Sequence, residues 1–141
     1  MKRFLEMRGA DGGRWRRICA VPALWTGLLY DRAALDAAWD LVRDWSTEER
    51  QALRDAVPRT GLATPLRGRT VLEVAREMLA IARGGLARRA FKDSRGIDET
   101  RFLEPVEAIL RQGMSPAQEM LARYEGTWRR SVAPLFTEYA F

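Results

Sequence analysis

Residues 70–91 read TVLEVAREMLAIARGGLARRAF, and this stretch decides the fold class. Thr70 followed three residues later by Glu73 is a capping box. The hydroxyl accepts from the backbone N–H at the third helical position, and the carboxylate reaches back to the capping residue's own N–H. Val71, Val74, Ala75, Met78, Leu79 and Ala82 then recur at three- and four-residue intervals, marking one face of a long helix. Gly84-Gly85 weakens that helix by about 1 kcal/mol per glycine relative to alanine. The helix is therefore expected either to kink there or to resume through Leu86 to Phe91. Arg83, Arg88 and Arg89 are expected to form a solvated basic end.

The same grammar extends in both directions. Cys19 to Tyr30 is an apolar run, expected to be a buried helical segment broken or started at Pro22, with Cys19 a buried thiol. Asp31 can cap a helix beginning at Arg32, whose inner stripe would be Leu35, Ala38, Trp39 and Val42. Ser46-Thr47-Glu48-Glu49 is another capping box, for a helix expected to stop near Val57, before Pro58. Pro58 to Gly68 reads as a loop, as does Lys92 to Gly96. Glu104-Pro105 starts a short helix with Val106, Ile109 and Leu110 buried, ended by Gly113. Ser115-Pro116-Ala117-Gln118 starts another, with Met120, Leu121 and Tyr124 inward and Gly126 as its stop. The capping boxes sit at unequal spacing without a shared pattern, so no solenoid is read. The expectation is a mainly α fold of about five to seven helices. It is taken as a single domain spanning 1–141: a short strand and Gly-rich turn over 1–13, then a helical part over 14–141.

The composition narrows the chemistry. A hydrophobic fraction of 47% with 30% charged residues describes a soluble globular chain. No apolar run approaches the roughly 20 residues a membrane span needs. Met1 leads directly into Lys2-Arg3 and the strand, so no leader peptide is read and the cytoplasm is the expected compartment. Net charge is +5 and the only lysines are Lys2 and Lys92, so arginine carries the basic character. With no His and one Cys, the usual general base, thiolate metal clusters and an internal disulfide are all excluded. Carboxylates, guanidiniums and backbone amides remain, a set suited to phosphoryl or acyl-phosphate work.

That set is densest from Phe4 to Asp31: FLEMRGADGGRWRRICAVPALWTGLLYD. Phe4 to Arg8 reads as a strand on which Glu6 and Arg8 share one face and Leu5 and Met7 the other. A carboxylate beside a guanidinium suits a metal-bound phosphate, the first as a hard oxygen ligand and the second as a fork for phosphate oxygens. The same pair also reads as a solvated surface ion pair. Gly9 to Gly13 must turn the chain. Arg14-Trp15-Arg16-Arg17 could hold a phosphate or a carboxylate or stack on a base, or be a solvated basic turn around a buried Trp.

Leu5 to Gly13, Trp15-Arg16-Arg17, Cys19-Ala20, Gly27 to Asp31, Asp44-Trp45, Glu48-Glu49-Arg50, Val57-Pro58, Ser115-Pro116-Ala117 and Ser131-Val132 together carry a likeness over nearly the whole chain. The sequence resembles the C-terminal part of glutamate–cysteine ligase of the plant and proteobacterial type. The resemblance implies transfer of the ATP γ-phosphate to the glutamate side-chain carboxylate, then attack by the cysteine amine to give γ-glutamylcysteine. It implies Glu6 as a Mg²⁺ ligand, Arg8 as the group stabilising the transferring phosphoryl, and Arg16 and Arg17 as contacts for anionic substrate. ATP and Mg²⁺ are implied cofactors by resemblance only, not expected to bind tightly to this chain alone. Most of the family's nucleotide and metal site lies in an N-terminal part with no counterpart here, so the chain is expected to be inactive by itself. Its strand would pair with an N-terminal ligase chain or a second copy. The likeness is weakest at the tail: Thr127 stands where the family usually has Glu, Arg129 where it has Gly, and Ala133 where an Asp would cap the last helix. A different class of reading is a basic helical binding module for nucleic acid or an acidic protein, resting mainly on Arg83, Arg88 and Arg89.

Overall fold

The computed structural model describes residues 15–140. In chain order these form helices α1 (Trp15–Ile18), α2 (Ala20–Leu29), α3 (Arg32–Val42) and α4 (Thr47–Thr60), a 3-10 turn (Gly61–Ala63), strands β1 (Pro65–Leu66) and β2 (Arg69–Thr70), helix α5 (Val71–Arg89), a second 3-10 turn (Glu99–Leu103), and helices α6 (Glu104–Gln112), α7 (Pro116–Glu125) and α8 (Ala133–Glu138). The fold is mainly α, as the periodicity implies. The expected strand and glycine turn over 1–13 lie outside the described residues.

Helix α5 is the axis. Both halves of its capping box form: the Thr70 hydroxyl accepts from the Glu73 N–H, and the Glu73 carboxylate accepts from the Thr70 N–H at 2.7 Å. The helix resumes without interruption through Gly84-Gly85, and it ends at Ala90 in the left-handed region (φ +54°). Tertiary packing outweighs the weak local propensity. Ala82, Gly85 and Leu86 are buried against α2, where Gly27 lets the two backbones touch. Around that crossing Ala23, Leu28, Leu79, Leu103 and Leu110 complete the core. Full burial of a leucine such as Leu86 contributes roughly 1.5–3 kcal/mol.

Proline placement explains the flanking helices. Pro22 has no N–H to give the Ile18 carbonyl, so α1 ends there; within α2 it occupies the first turn, where a missing donor costs nothing. Cys19 sits at this joint and is exposed, not buried as expected, because the break turns it away from the α2–α5 contact. Pro58 does not stop α4 either. It lies inside the last turn, on the exposed side, and the helix continues to Thr60, whose hydroxyl donates to the Ala56 carbonyl. The expected loop after it is a structured connection. The 3-10 turn leads into the antiparallel hairpin of β1 and β2, closed by Arg67 (φ +50°) and Gly68 (φ +76°), the paired left-handed geometry that matches strand twist.

Asp31 caps α3 as expected, accepting from the Ala34 N–H at 2.8 Å. The expected inner stripe holds only in part, at Ala38, which packs against the core. Ala34 is the buried residue, while Leu35 and Trp39 are 37% and 58% exposed and Ala38 and Val42 only half-buried. Periodicity finds an apolar face, but packing against α5 at Gly85 selects the small Ala34 as the point of contact.

At the C-terminal end, Ser115 and Gln118 form the expected capping box of α7, and Gly113 terminates α6 at φ +68°. Leu121 is exposed rather than inward. The divergent tail packs nonetheless. Trp128 is buried, donates its ring N–H to Glu138 at 3.0 Å, and meets the Tyr139 ring edge-to-face. Helix α8 has no side-chain N-cap at Val132; the Ser131 hydroxyl accepts from the Ala133 N–H and stands in for the missing aspartate.

Candidate functional site

A cleft of about 840 Å³ opens where α1, α6, α7 and the C-terminal end converge. Its walls include Trp15 and Arg17 from α1, Glu104 and Arg111 from α6, and Glu119 from α7. Helix α6 presents these side chains by its period. Leu110 is buried and Val106 half-buried on one side, which leaves Glu104, Ala108 and Arg111 on the opposite side at steps of four and three. Arg76 of α5 fixes the far end of α6 by donating twice, at 2.8 and 3.2 Å, to the Leu110 carbonyl. Glu119 is already engaged, accepting from Arg123 at 3.0 Å and from the Tyr139 hydroxyl at 3.1 Å. Among the described residues, the cleft side chains without a hydrogen-bond or ion-pair partner include two guanidiniums, Arg17 and Arg111, an exposed indole on Trp15, and the Glu104 carboxylate.

Of the residues singled out in the sequence, Glu6 and Arg8 lie outside the described residues. Arg16 belongs to α1, with its side chain outside the description. Arg17 is half-buried on the cleft wall. Arg111 and Glu104 were not singled out. The signal was their seven-residue spacing on a helix whose opposite face is apolar, but their nearness to Arg17 depends on a contact between α1 and α6.

The basic end of α5 is solvated at Arg83 and Arg88, as expected, but its arginines are also paired. Arg83 pairs with Glu107. Arg88 grips Asp31 with two bonds, at 2.7 and 3.0 Å. Arg89 faces Glu99 at 3.5 Å and lies over the rings of Tyr30 and Phe91. The Arg88 bond, with help from the Ala34 N–H, lowers the Asp31 pKa from 3.8 to about 2, and the same bond raises Arg88. Asp93 is held well below the usual carboxylate range, chiefly by Arg101 and then by the Ile97 N–H. A nucleic-acid surface needs uncompensated cations along one face, and these cations already face carboxylates.

For a divalent metal, the described residues contain no group of three or more Asp, Glu, Cys or His in position to share one ion. For an anion, Arg17 and Arg111 are suitable. Among the described residues no helix is long and apolar enough to cross a membrane.

Residues 1–138 match the model of glutamate-cysteine ligase family 2, GCS2. The chain belongs to glutamate-cysteine ligase family 2. Within it, the chain is 48% identical over 141 residues to "Glutamate--cysteine ligase A, chloroplastic" of Oryza sativa subsp. indica, which covers 100% of this chain and 27% of the rice protein. It is 48% identical to "Glutamate--cysteine ligase, chloroplastic" of Arabidopsis thaliana and 46% identical to that of Solanum lycopersicum, in each case over the whole chain and 26% of the relative. The chain thus spans about a quarter of the length of the curated family 2 relatives it matches. The family match reaches into the tail, through Trp128 and α8 to Glu138, so the tail's substitutions modify a family 2 end rather than replace it.

Proposed function

We propose that this chain, acting as one domain over 1–141, is the C-terminal part of an ATP-dependent glutamate–cysteine ligase and requires the rest of the ligase for turnover. The observation that carries this reading is an end-to-end match at 48% identity that covers only 27% of the rice ligase. The reaction transfers the ATP γ-phosphate to the glutamate side-chain carboxylate. The cysteine amine then attacks the acyl phosphate, forming the amide bond of γ-glutamylcysteine and releasing phosphate. In this reading Arg8 stabilises the phosphoryl group in transfer, and Arg16 and Arg17 hold anionic substrate. Glu6 is the Mg²⁺ ligand, and the ion, when bound, neutralises phosphate oxygens. Arg17 on the cleft wall supports the placement of an anion at this end of the molecule. The partner is an N-terminal ligase chain, or a second copy that completes the strand's sheet. The compartment proposed is the cytoplasm; the word chloroplastic belongs to the plant relatives' names.

The test is ATP-dependent γ-glutamylcysteine formation by the chain alone and with an N-terminal ligase fragment added. The expected result is turnover only in the mixture, abolished by Glu6→Gln or Arg8→Gln. Turnover by the isolated chain overturns the need for a partner. Silence in both arms marks the chain as a remnant of its family.

A further inference from the structure

Between Ile18 and Tyr30 the chain carries no charged residue. One side of this segment, Ala20, Ala23, Gly27 and Leu28, is buried at the α2–α5 crossing. The opposite side is just as apolar and is open. Trp15, Ile18, Cys19, Pro22, Leu29 and Tyr30 are all exposed, Trp15 and Tyr30 at 77% and 72%. At 3.6 residues per turn these positions fall within roughly 120° of one another. Cys19 keeps right-handed helical dihedrals (φ −75°, ψ −16°), so the joint between α1 and α2 preserves that face. A helix that is apolar all round belongs inside a larger body.

The amount of open surface agrees. The chain exposes 10463 Å², whereas a folded monomer of 16.1 kDa exposes about 7,400 Å². Setting aside about 2,500 Å², the surface of a fully unfolded fifteen-residue chain, for the residues outside the description leaves about 8,000 Å² where roughly 6,800 Å² is expected. The difference exceeds the roughly 800 Å² that each partner contributes to a stable interface. Three features select the occupant. Permanent interfaces resemble a domain core cut in half, and an uncharged stripe is of that kind. The chain spans 27% of the rice ligase, so most of a ligase's length is available to cover it. The segment that the proposed reading assigns to the ligase's sheet joins the chain at Trp15, at the foot of the stripe. At the far end, Arg89 lies 5.4 Å from the centre of the Tyr30 ring and supplies a charged rim.

We propose that the outer stripe of α1 and α2, from Trp15 to Tyr30, is the face on which the rest of the ligase seats. The proposal rests on the reading of this chain as part of a glutamate–cysteine ligase, and it adds a second contact to the strand pairing named there. It also accounts for Cys19, whose thiol is open in this chain and covered in the complete enzyme.

Cys19 is the only cysteine and sits in the stripe, so its reaction with a maleimide reads coverage of that face. The full chain is labelled alone and with an N-terminal ligase fragment, and the label on this chain is followed by mass spectrometry. Sedimentation of the same samples reports association. The expected result is fast labelling of a monomeric chain, slowed about tenfold by fragment at about ten times its dissociation constant, because only the unbound chain reacts. Ile18→Glu is expected to weaken association at least about tenfold, since its carboxylate would be buried without a partner. Leu121→Glu, at an exposed position on α7, is expected to leave association unchanged. Helical circular dichroism verifies that both variants fold. Association with Cys19 still reactive, or equal losses in the two variants, would overturn the stripe as the docking face and leave the ligase reading standing. Protection without turnover would uphold the face and fail that reading's chemistry. Slow labelling of the lone chain would overturn the proposal, giving the stripe to a second copy if the chain sediments as a dimer and closing it if the chain is a monomer. No association at any concentration would overturn both.

Discussion

Gly27 and Gly85 meet main chain to main chain. A Cβ built on Gly85 would lie 1.9 Å from the Gly27 carbonyl oxygen, and one built on Gly27 would lie 2.2 Å from the Ala82 carbonyl oxygen. Neither obstacle is the flexible end of a side chain, so α2 and α5 would have to separate. Gly85→Ala is expected to cost about 3 kcal/mol or more, the upper range for an overpacked core. Its neighbour should behave in the opposite sense. The nearest obstruction at Gly84 is the Arg88 guanidinium at 3.2 Å, which needs to give by only a few tenths of an ångström while keeping its grip on Asp31, so Gly84→Ala should stabilise by about 0.5 kcal/mol, the low end for replacing a helical glycine. Urea unfolding midpoints of the two variants measure both. Effects of equal sign would show that the α2–α5 crossing is looser than described.

The Asp31–Arg88 pair should be visible in the pH dependence of stability. A carboxylate whose folded pKa is lowered from 3.8 to about 2 contributes stability that is fully present above its unfolded value and is lost as pH falls through the folded one. Asp31→Asn keeps an oxygen for the Ala34 N–H and removes the charge facing Arg88. The unfolding midpoint of the native chain should exceed that of the variant at pH 5, and the gap should narrow between pH 4 and pH 2. Other lowered carboxylates, such as Glu73 and Asp98, are common to both proteins and cancel in the difference. A gap that stays constant across this window would remove the pair as a source of stability.

Arg129 adopts φ +48° and is exposed, in a position where the resembled family has glycine. A left-handed backbone costs a residue with a Cβ about 1–2 kcal/mol, partly offset because glycine has more freedom to lose on folding. Arg129→Gly should therefore raise stability by about 0.5–1 kcal/mol in thermal or urea unfolding. A loss instead would mean that the Arg129 side chain makes a contact worth more than the strain.

Local signals were the legible ones. Asp31, Ser46, Thr70 and Ser115 each bond to a backbone N–H three residues on, and a reader needs only four letters to foresee that. What misled was any feature whose meaning depends on a distant segment. Gly85 reads as a helix breaker until Gly27 is known to cross it. Leu35 and Trp39 read as an inner stripe because periodicity marks a face without saying what covers it. Arg83, Arg88 and Arg89 read only as a solvated basic end because their partners, Glu107, Asp31 and Glu99, lie at least ten residues away. The site divides the same way. Arg17 stands in a dense motif and was singled out; Arg111 is one arginine among many until α6 is placed beside α1.

The outward ring of Trp39 gives the molecule a native optical gauge. Five tryptophans contribute to its emission, and a Trp39→Phe difference spectrum isolates the one on the uncovered flank of α3. Water beside that indole sets its colour in the lone chain. A blue shift of that component on mixing with another polypeptide would therefore report contact at this flank, before any product had formed.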